Sequence, residues 1–149
     1  MKGFETMKIK SIMAVLTALF IAVLSGCMHN DYRITFINLT GVDISAIYIA
    51  PETDKGNFKN YLKEDLTAGD EIEISVDVSG QEAEKGFTVE AFSAEDNSSE
   101  TFDMLMVKNG GTVSFYIDNY GLAVGVDMTE EEIENQKRID NELSTDKEN

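Results

Sequence analysis

The sequence predicts an all-β domain, a seven-stranded antiparallel β-sandwich or small barrel, followed by an acidic tail that is a short helix or disordered. Three observations carry this expectation. Apolar and polar residues alternate with a period of two through seven stretches, the spacing of half-buried strands. Clusters of Gly, Asn, Asp and Ser punctuate those stretches at short intervals, as in sandwiches and barrels. Beyond residue 127 the alternation stops and acidic residues take over. The expected organisation is a leader over 1–26, a tether over 27–31, the β-domain over 32–127 and the tail over 128–149.

The first strand spans Tyr32–Leu39, and Thr40-Gly41 turns the chain into Ile44–Ala50. This second stretch is apolar on both faces, as expected of a central strand or one with a covered outer face. Residues 53–65 break the pattern just after Pro51, the only proline, and contain Phe58 and Tyr61. Aromatic rings in such a loop plug the open end of a sandwich or form a recognition surface, and plugging is the first reading. Ala68-Gly69-Asp70 leads into the clearest strand, Glu71–Val78, with Ile72, Ile74, Val76 and Val78 on one face. Ser79-Gly80 turns ahead of Phe87–Ser93, and Asp96-Asn97-Ser98-Ser99 ahead of Glu100–Val107. Lys108-Asn109-Gly110-Gly111 reads as a hairpin turn. It would set Phe102, Met104 and Met106 beside Val113, Phe115 and Ile117 of Thr112–Asp118, both rows facing inward. Asn119-Tyr120-Gly121 precedes Leu122–Asp127, again apolar on both faces. In the tail, Thr129-Glu130-Glu131-Glu132 has the form of a capping box, with Met128 and Ile133 at staple positions. Its apolar stripe is thin, only Ile133, Ile139 and Leu143, so a frayed acidic tail is expected, or one whose Ile139 and Leu143 dock on the domain or a partner.

The N-terminus has the character of an export leader. Lys8 and Lys10 precede Ile12–Leu24, an uncharged run too short for an ordinary spanning helix, which needs roughly 20 apolar residues. Leu24-Ser25-Gly26-Cys27 then resembles the lipobox of bacterial lipoproteins. That resemblance implies that Cys27 takes a diacylglyceryl group, that Leu24, Ser25 and Gly26 are read by the signal peptidase, and that cleavage falls before Cys27. Two acyl chains, at about 0.8 kcal/mol per buried CH₂, hold a protein stably on a bilayer. Met28 follows the cysteine where an inner-membrane retention signal would place aspartate, so the cell membrane, or the outer membrane of a host that has one, is the expected address. Met7 is an alternative start.

Charge and composition exclude several function classes. The chain carries −16, and removing the +2 of the leader leaves −18 on the remainder, so nucleic acid is a poor partner. One cysteine allows no internal disulfide. The one histidine, His29, lies in the tether, which leaves a serine or threonine nucleophile without its usual base. Carboxylates are plentiful, but no spacing singles out a catalytic pair. Glu95-Asp96-Asn97-Ser98-Ser99-Glu100 offers oxygens to calcium without the spacing of an EF-hand loop, and reads first as a polar hairpin turn. Gly110-Gly111 sits in a turn and not before a helix, so it makes no phosphate loop. No catalytic residue, metal ligand or cofactor is assigned.

The segment Phe36-Ile37-Asn38-Leu39-Thr40-Gly41-Val42-Asp43-Ile44-Ser45-Ala46-Ile47-Tyr48-Ile49-Ala50-Pro51 resembles a family of small exported bacterial β-domains. In that family an N-x-T-G turn precedes an I-x-x-[IV]-Y-[IV]-[SA]-P strand, a Trp-Gly loop, a leucine and a glycine. Asn60, Leu62, Leu66 and Gly69 fall at matching places, whereas Phe58 and Lys59 stand for the Trp-Gly pair. The resemblance covers roughly residues 34–118, implies a β fold and supplies no catalytic residue. The expectation is therefore a lipid-anchored, non-enzymatic binding or structural module at the cell envelope. Its rivals are an accessory subunit docking an envelope protein through the 53–65 loop or the tail, and a carboxylate-based envelope hydrolase.

Overall fold

The computed structural model describes residues 31–146, with side chains to residue 139. Cys27 and the residues expected to be read with it, Leu24, Ser25 and Gly26, lie outside the described residues. The protein is mostly β: eight strands form two four-stranded sheets. These are β1 (Asp31–Asn38), β2 (Ile44–Pro51), β3 (Lys59–Asn60), β4 (Glu71–Asp77), β5 (Phe87–Ser93), β6 (Ser99–Leu105), β7 (Gly111–Asp118) and β8 (Gly121–Val126). The α-helices are α1 (Gly80–Ala83) and α2 (Glu130–Asp146), and Glu52–Asp54 form one 3-10 turn. One sheet has the order β4-β1-β7-β8 and the other β3-β2-β5-β6.

Seven strands fall where the alternation places them, to within a residue or two at their ends. The eighth is β3, two residues inside the segment read as a loop, which pair with Tyr48 and Ile49 of β2. The sheets are not purely antiparallel, because β1 and β7 run parallel from Ile34↔Gly111 to Asn38↔Phe115.

Residues Phe36, Val113 and Phe115 of one sheet meet Ile47, Ile49 and Phe87 of the other in one buried cluster. Ring contacts cross the interface: Tyr32 lies 5.4 Å from Phe87, and Phe102 lies 6.2 Å from Phe115. Both-face apolarity has its two expected causes. Strand β2 is interior to its sheet, whereas β8 is an edge strand whose outer face meets the start of the tail. There Met128 presses on Gly125 so closely that a Cβ at that glycine would lie 2.2 Å from its Sδ.

The expected hairpin between the fifth and sixth stretches, Glu100–Val107 and Thr112–Asp118, does not form. Strand β6 pairs with β5, β7 pairs with β1 and β8, and the 106–110 segment crosses from one sheet to the other. The physical reason lies in the turn. Gly110 donates its N–H to the carbonyl of Arg33 at 2.8 Å, and Asn109 Oδ1 accepts the Arg33 N–H at 2.8 Å. The turn therefore clamps onto β1 and feeds β7 in beside it.

The inward row of β6 also differs from Phe102/Met104/Met106. Met104 adopts φ +57°, and the register slips from Val89↔Phe102 to Phe87↔Leu105, placing an extra residue in β6. This bulge reverses the alternation. Leu105 and Val107 turn inward after Phe102, and Met104 and Met106 are 67% and 58% exposed.

The tail forms a helix of 17 residues. Its capping box is present: Glu132 Oε2 accepts the Thr129 N–H at 2.7 Å, and the Glu132 N–H reaches Thr129 Oγ1 at 3.3 Å. Met128, Ile133 and Gln136 are half-buried, and Gln136 Nε2 donates to the Ile117 carbonyl at 3.1 Å. Ile139, expected in the stripe, is 42% exposed.

Candidate functional site

Strand directions give the domain two poles. Strand β1 starts at one pole, termed the near pole, and its eight residues at about 3.3 Å each carry the chain roughly 26 Å to the far pole. The end of β1, the start of β2, the β5–β6 turn and the β7–β8 turn all meet at the far pole, because β7 parallels β1 and Ile44 pairs with Ser93.

A cleft of about 340 Å³ opens there, between the β5–β6 and β7–β8 hairpins. That volume is at the lower end of the range for ligand sites, roughly 300–1,000 Å³. Val42, Ile44, Ile117 and Leu122 supply its apolar walls, and all but Ile44 are only half-covered. Glu95, Asp96 and Glu100 form an exposed acidic rim, and no Lys or Arg lines the cleft. Tyr120, next in the chain to the lining residue Gly121, is 98% exposed. Asp118 Oδ1 fixes the β7–β8 turn by accepting the N–H groups of Tyr120 at 2.7 Å and Gly121 at 3.1 Å.

A buried amide builds the backbone beneath the cleft. Asn38, fully covered, donates from Nδ2 to the carbonyls of Val42 and Leu66, both at 2.9 Å, and its Oδ1 accepts the Thr40 N–H at 3.0 Å. The Thr40 hydroxyl has one proton for two acceptors, Asn38 Oδ1 at 2.6 Å and the Val42 carbonyl at 2.8 Å. The N-x-T-G segment is thus a structural knot that shapes the cleft wall. Asn60 works similarly: its Oδ1 accepts the N–H groups of Leu62 at 3.0 Å and Ile47 at 3.3 Å.

The two aromatic residues of the 53–65 segment lie elsewhere. Tyr61 packs against the core and borders a recess of about 70 Å³ with Asp77 and Glu82, and burial pushes its hydroxyl above the usual tyrosine range. Phe58 is half-buried and lines neither hollow. The structure does not bring the pair into the far-pole cleft.

Two carboxyls do converge at the near pole. Glu52 Oε1 accepts the Thr88 hydroxyl at 2.6 Å and the Met104 N–H at 2.7 Å, while Oε2 meets Lys55 Nζ at 2.9 Å. Asp103 Oδ1 lies 2.9 Å from both Lys55 Nζ and Thr88 Oγ1. The Thr88 hydroxyl, then Lys55, hold Glu52 below the usual carboxylate range; Lys55, then Thr88, do the same to Asp103. A general acid needs the opposite shift. This network ties the β6 bulge at Met104 to the start of β5 through Glu52 and Thr88. In the turn considered for calcium, Asp96 Oδ1 is engaged by the Ser98 N–H at 3.0 Å and hydroxyl at 2.6 Å. Among the described residues no three His, Cys, Asp or Glu side chains are grouped as a metal site requires, and no helix is long and apolar enough to cross a membrane.

Sequence reasoning missed the cleft because its residues come from three strand connections and the strand ends beside them, which no linear spacing connects. The single local signal was Tyr120, an aromatic residue in an otherwise polar turn.

Comparison with protein-family models and with curated proteins finds no match. Among solved structures, an NMR structure of a protein from Eubacterium rectale is similar, with a TM-score of 0.52 and 18% identity. The match covers 70% of this chain and 97% of that one. At that identity the likeness is one of fold.

Proposed function

We propose that the chain is a membrane-anchored bacterial lipoprotein whose exported β-domain is a non-enzymatic binding or structural module at the cell envelope. One observation carries this reading: Leu24-Ser25-Gly26-Cys27 follows an uncharged apolar run, and β1 begins at Asp31, the fourth residue after the cysteine. So short a leash keeps the near pole at the bilayer and turns the far-pole cleft outward. The acidic domain repels an anionic headgroup layer, so the lipid alone grips the membrane. The non-enzymatic part rests on the sequence, whose one cysteine is the proposed anchor and whose one histidine, His29, lies two residues beyond it, and which singles out no catalytic carboxylate pair.

The test compares wild type with Cys27→Ala in a bacterial host by intact mass and membrane partition. A lipid-sized mass increment on a chain starting at Cys27, lost in the variant together with membrane association, is the expected result. An unmodified or soluble wild-type product would overturn the anchor.

A further inference from the structure

We propose that the far-pole cleft is the docking site for an extended segment of a partner protein in which an apolar side chain is flanked by Lys or Arg. This rests on reading the domain as a binding module. The half-covered walls from Val42, Ile117 and Leu122 offer an apolar side chain a place to leave water. The rim around them is acidic and holds no basic residue, so a bare apolar segment gains less there than one that also brings cations. Tyr120, fixed in its turn with its ring in solvent, adds an aromatic face to which an approaching Lys or Arg is drawn. A chain at −16 steers a basic partner over longer distances.

The occupant is a peptide segment and not an enclosed small molecule for a reason of shape. The cleft lies open between two hairpins, whereas small-molecule pockets bury most of their ligand. One wall is the start of β6, an edge strand that pairs with no further strand among the described residues. Such an edge offers main-chain donors and acceptors to an extended chain.

The experiment measures binding of fluorescein-labelled Gly-Lys-Leu-Lys-Gly by polarisation. The protein is taken as the cell makes it, in phosphatidylcholine nanodiscs if lipidated and in buffer if not. Replacing the peptide's leucine with serine is expected to weaken binding about tenfold, the scale of one buried aliphatic side chain. The double variant Glu95→Gln/Glu100→Gln should cost about fivefold and Tyr120→Ala about threefold. The double variant Glu130→Gln/Glu131→Gln removes the same charge from the tail and should leave binding within twofold. Equal losses from the rim pair and the tail pair would reduce the attraction to general charge and overturn the proposal. So would a serine peptide that binds as well as the leucine peptide, or competition by phenethylammonium at the peptide's own concentration. None of these variants alters a core residue, so misfolding does not obscure the result. Peptide binding by a chain that carries no lipid would overturn the anchor alone, so the two readings fail separately.

Discussion

Replacing Asn38 with alanine removes the knot beneath the far pole, and its cost follows from the hydrogen bonds it breaks. Three well-formed bonds from the Asn38 side chain disappear, each contributing about 1 kcal/mol net. The carbonyls of Leu66 and Val42 keep second partners, the Ile44 N–H and the Thr40 hydroxyl. The Thr40 N–H, in a residue only 4% exposed, loses its acceptor, which adds about 1 kcal/mol or more. The expected loss is therefore about 4 kcal/mol, a large share of the roughly 5–15 kcal/mol that stabilises a domain. Thermal and urea unfolding followed by circular dichroism would measure it, with a fall in Tm of about 15 °C for a domain of this size. Asn38→Asp is the sharper variant, because it keeps the acceptor and sets a carboxylate against two carbonyl oxygens. Its folded-state carboxyl is expected to titrate above the unfolded value, so its deficit relative to wild type should shrink as pH falls. A loss under 1 kcal/mol for Asn38→Ala, or a deficit for Asn38→Asp that does not change with pH, would refute the knot as the organiser of this pole.

Other perturbations test the remaining parts of the frame. Glu52 and Asp103 are held below their unfolded carboxylate values, so their contribution is present above about pH 4 and is lost as pH falls through the folded values. Wild-type Tm should therefore drop more between pH 6 and pH 3 than that of Glu52→Gln, and parallel pH profiles would argue against the network. Met104→Gly relieves a left-handed backbone at an exposed position and should stabilise the domain by about 1 kcal/mol in urea unfolding, whereas Met104→Ala should not. Gly125→Ala forces Met128 off β8 and is expected to cost about 1–2 kcal/mol, with faster proteolytic clipping at the start of α2. Unchanged clipping would show that Met128 does not seat the helix.

The legible parts of this fold are those set by local chemistry. Ile72, Ile74 and Val76 alternate because one face of β4 meets the core, and the pattern says so directly. The capping box at Thr129 and Glu132 is equally local, although propensity understated the helix it starts, which gains half-buried contacts from Met128, Ile133 and Gln136. Pairing was not legible. A turn such as Lys108-Asn109-Gly110-Gly111 reverses the chain in either a hairpin or a crossover, and hydrogen bonds to Arg33, remote in sequence, decide between them. The exposure of Met104 was hidden for the same reason, since the bulge is held by Glu52, about fifty residues earlier. The second capping box, Ser79 with Glu82, was visible in the sequence and read only as a turn.

The candidate site was least legible of all, and the placement of the matching residues explains why. Asn38 and Asn60 spend their side chains on backbone groups, and Leu62 and Leu66 fill the core. These positions therefore specify a framework and lend the cleft little of its exposed chemistry. That chemistry comes from Glu95 and Asp96 in the β5–β6 turn and Glu100 at the start of β6, with Tyr120 next to the lining residue Gly121, all exposed positions where substitution leaves the core untouched. Two chains can share the framework and bind unlike partners, because recognition is written in turns that the fold does not constrain. Exchanging only the β5–β6 and β7–β8 turns between such chains should move binding specificity while leaving stability nearly unchanged.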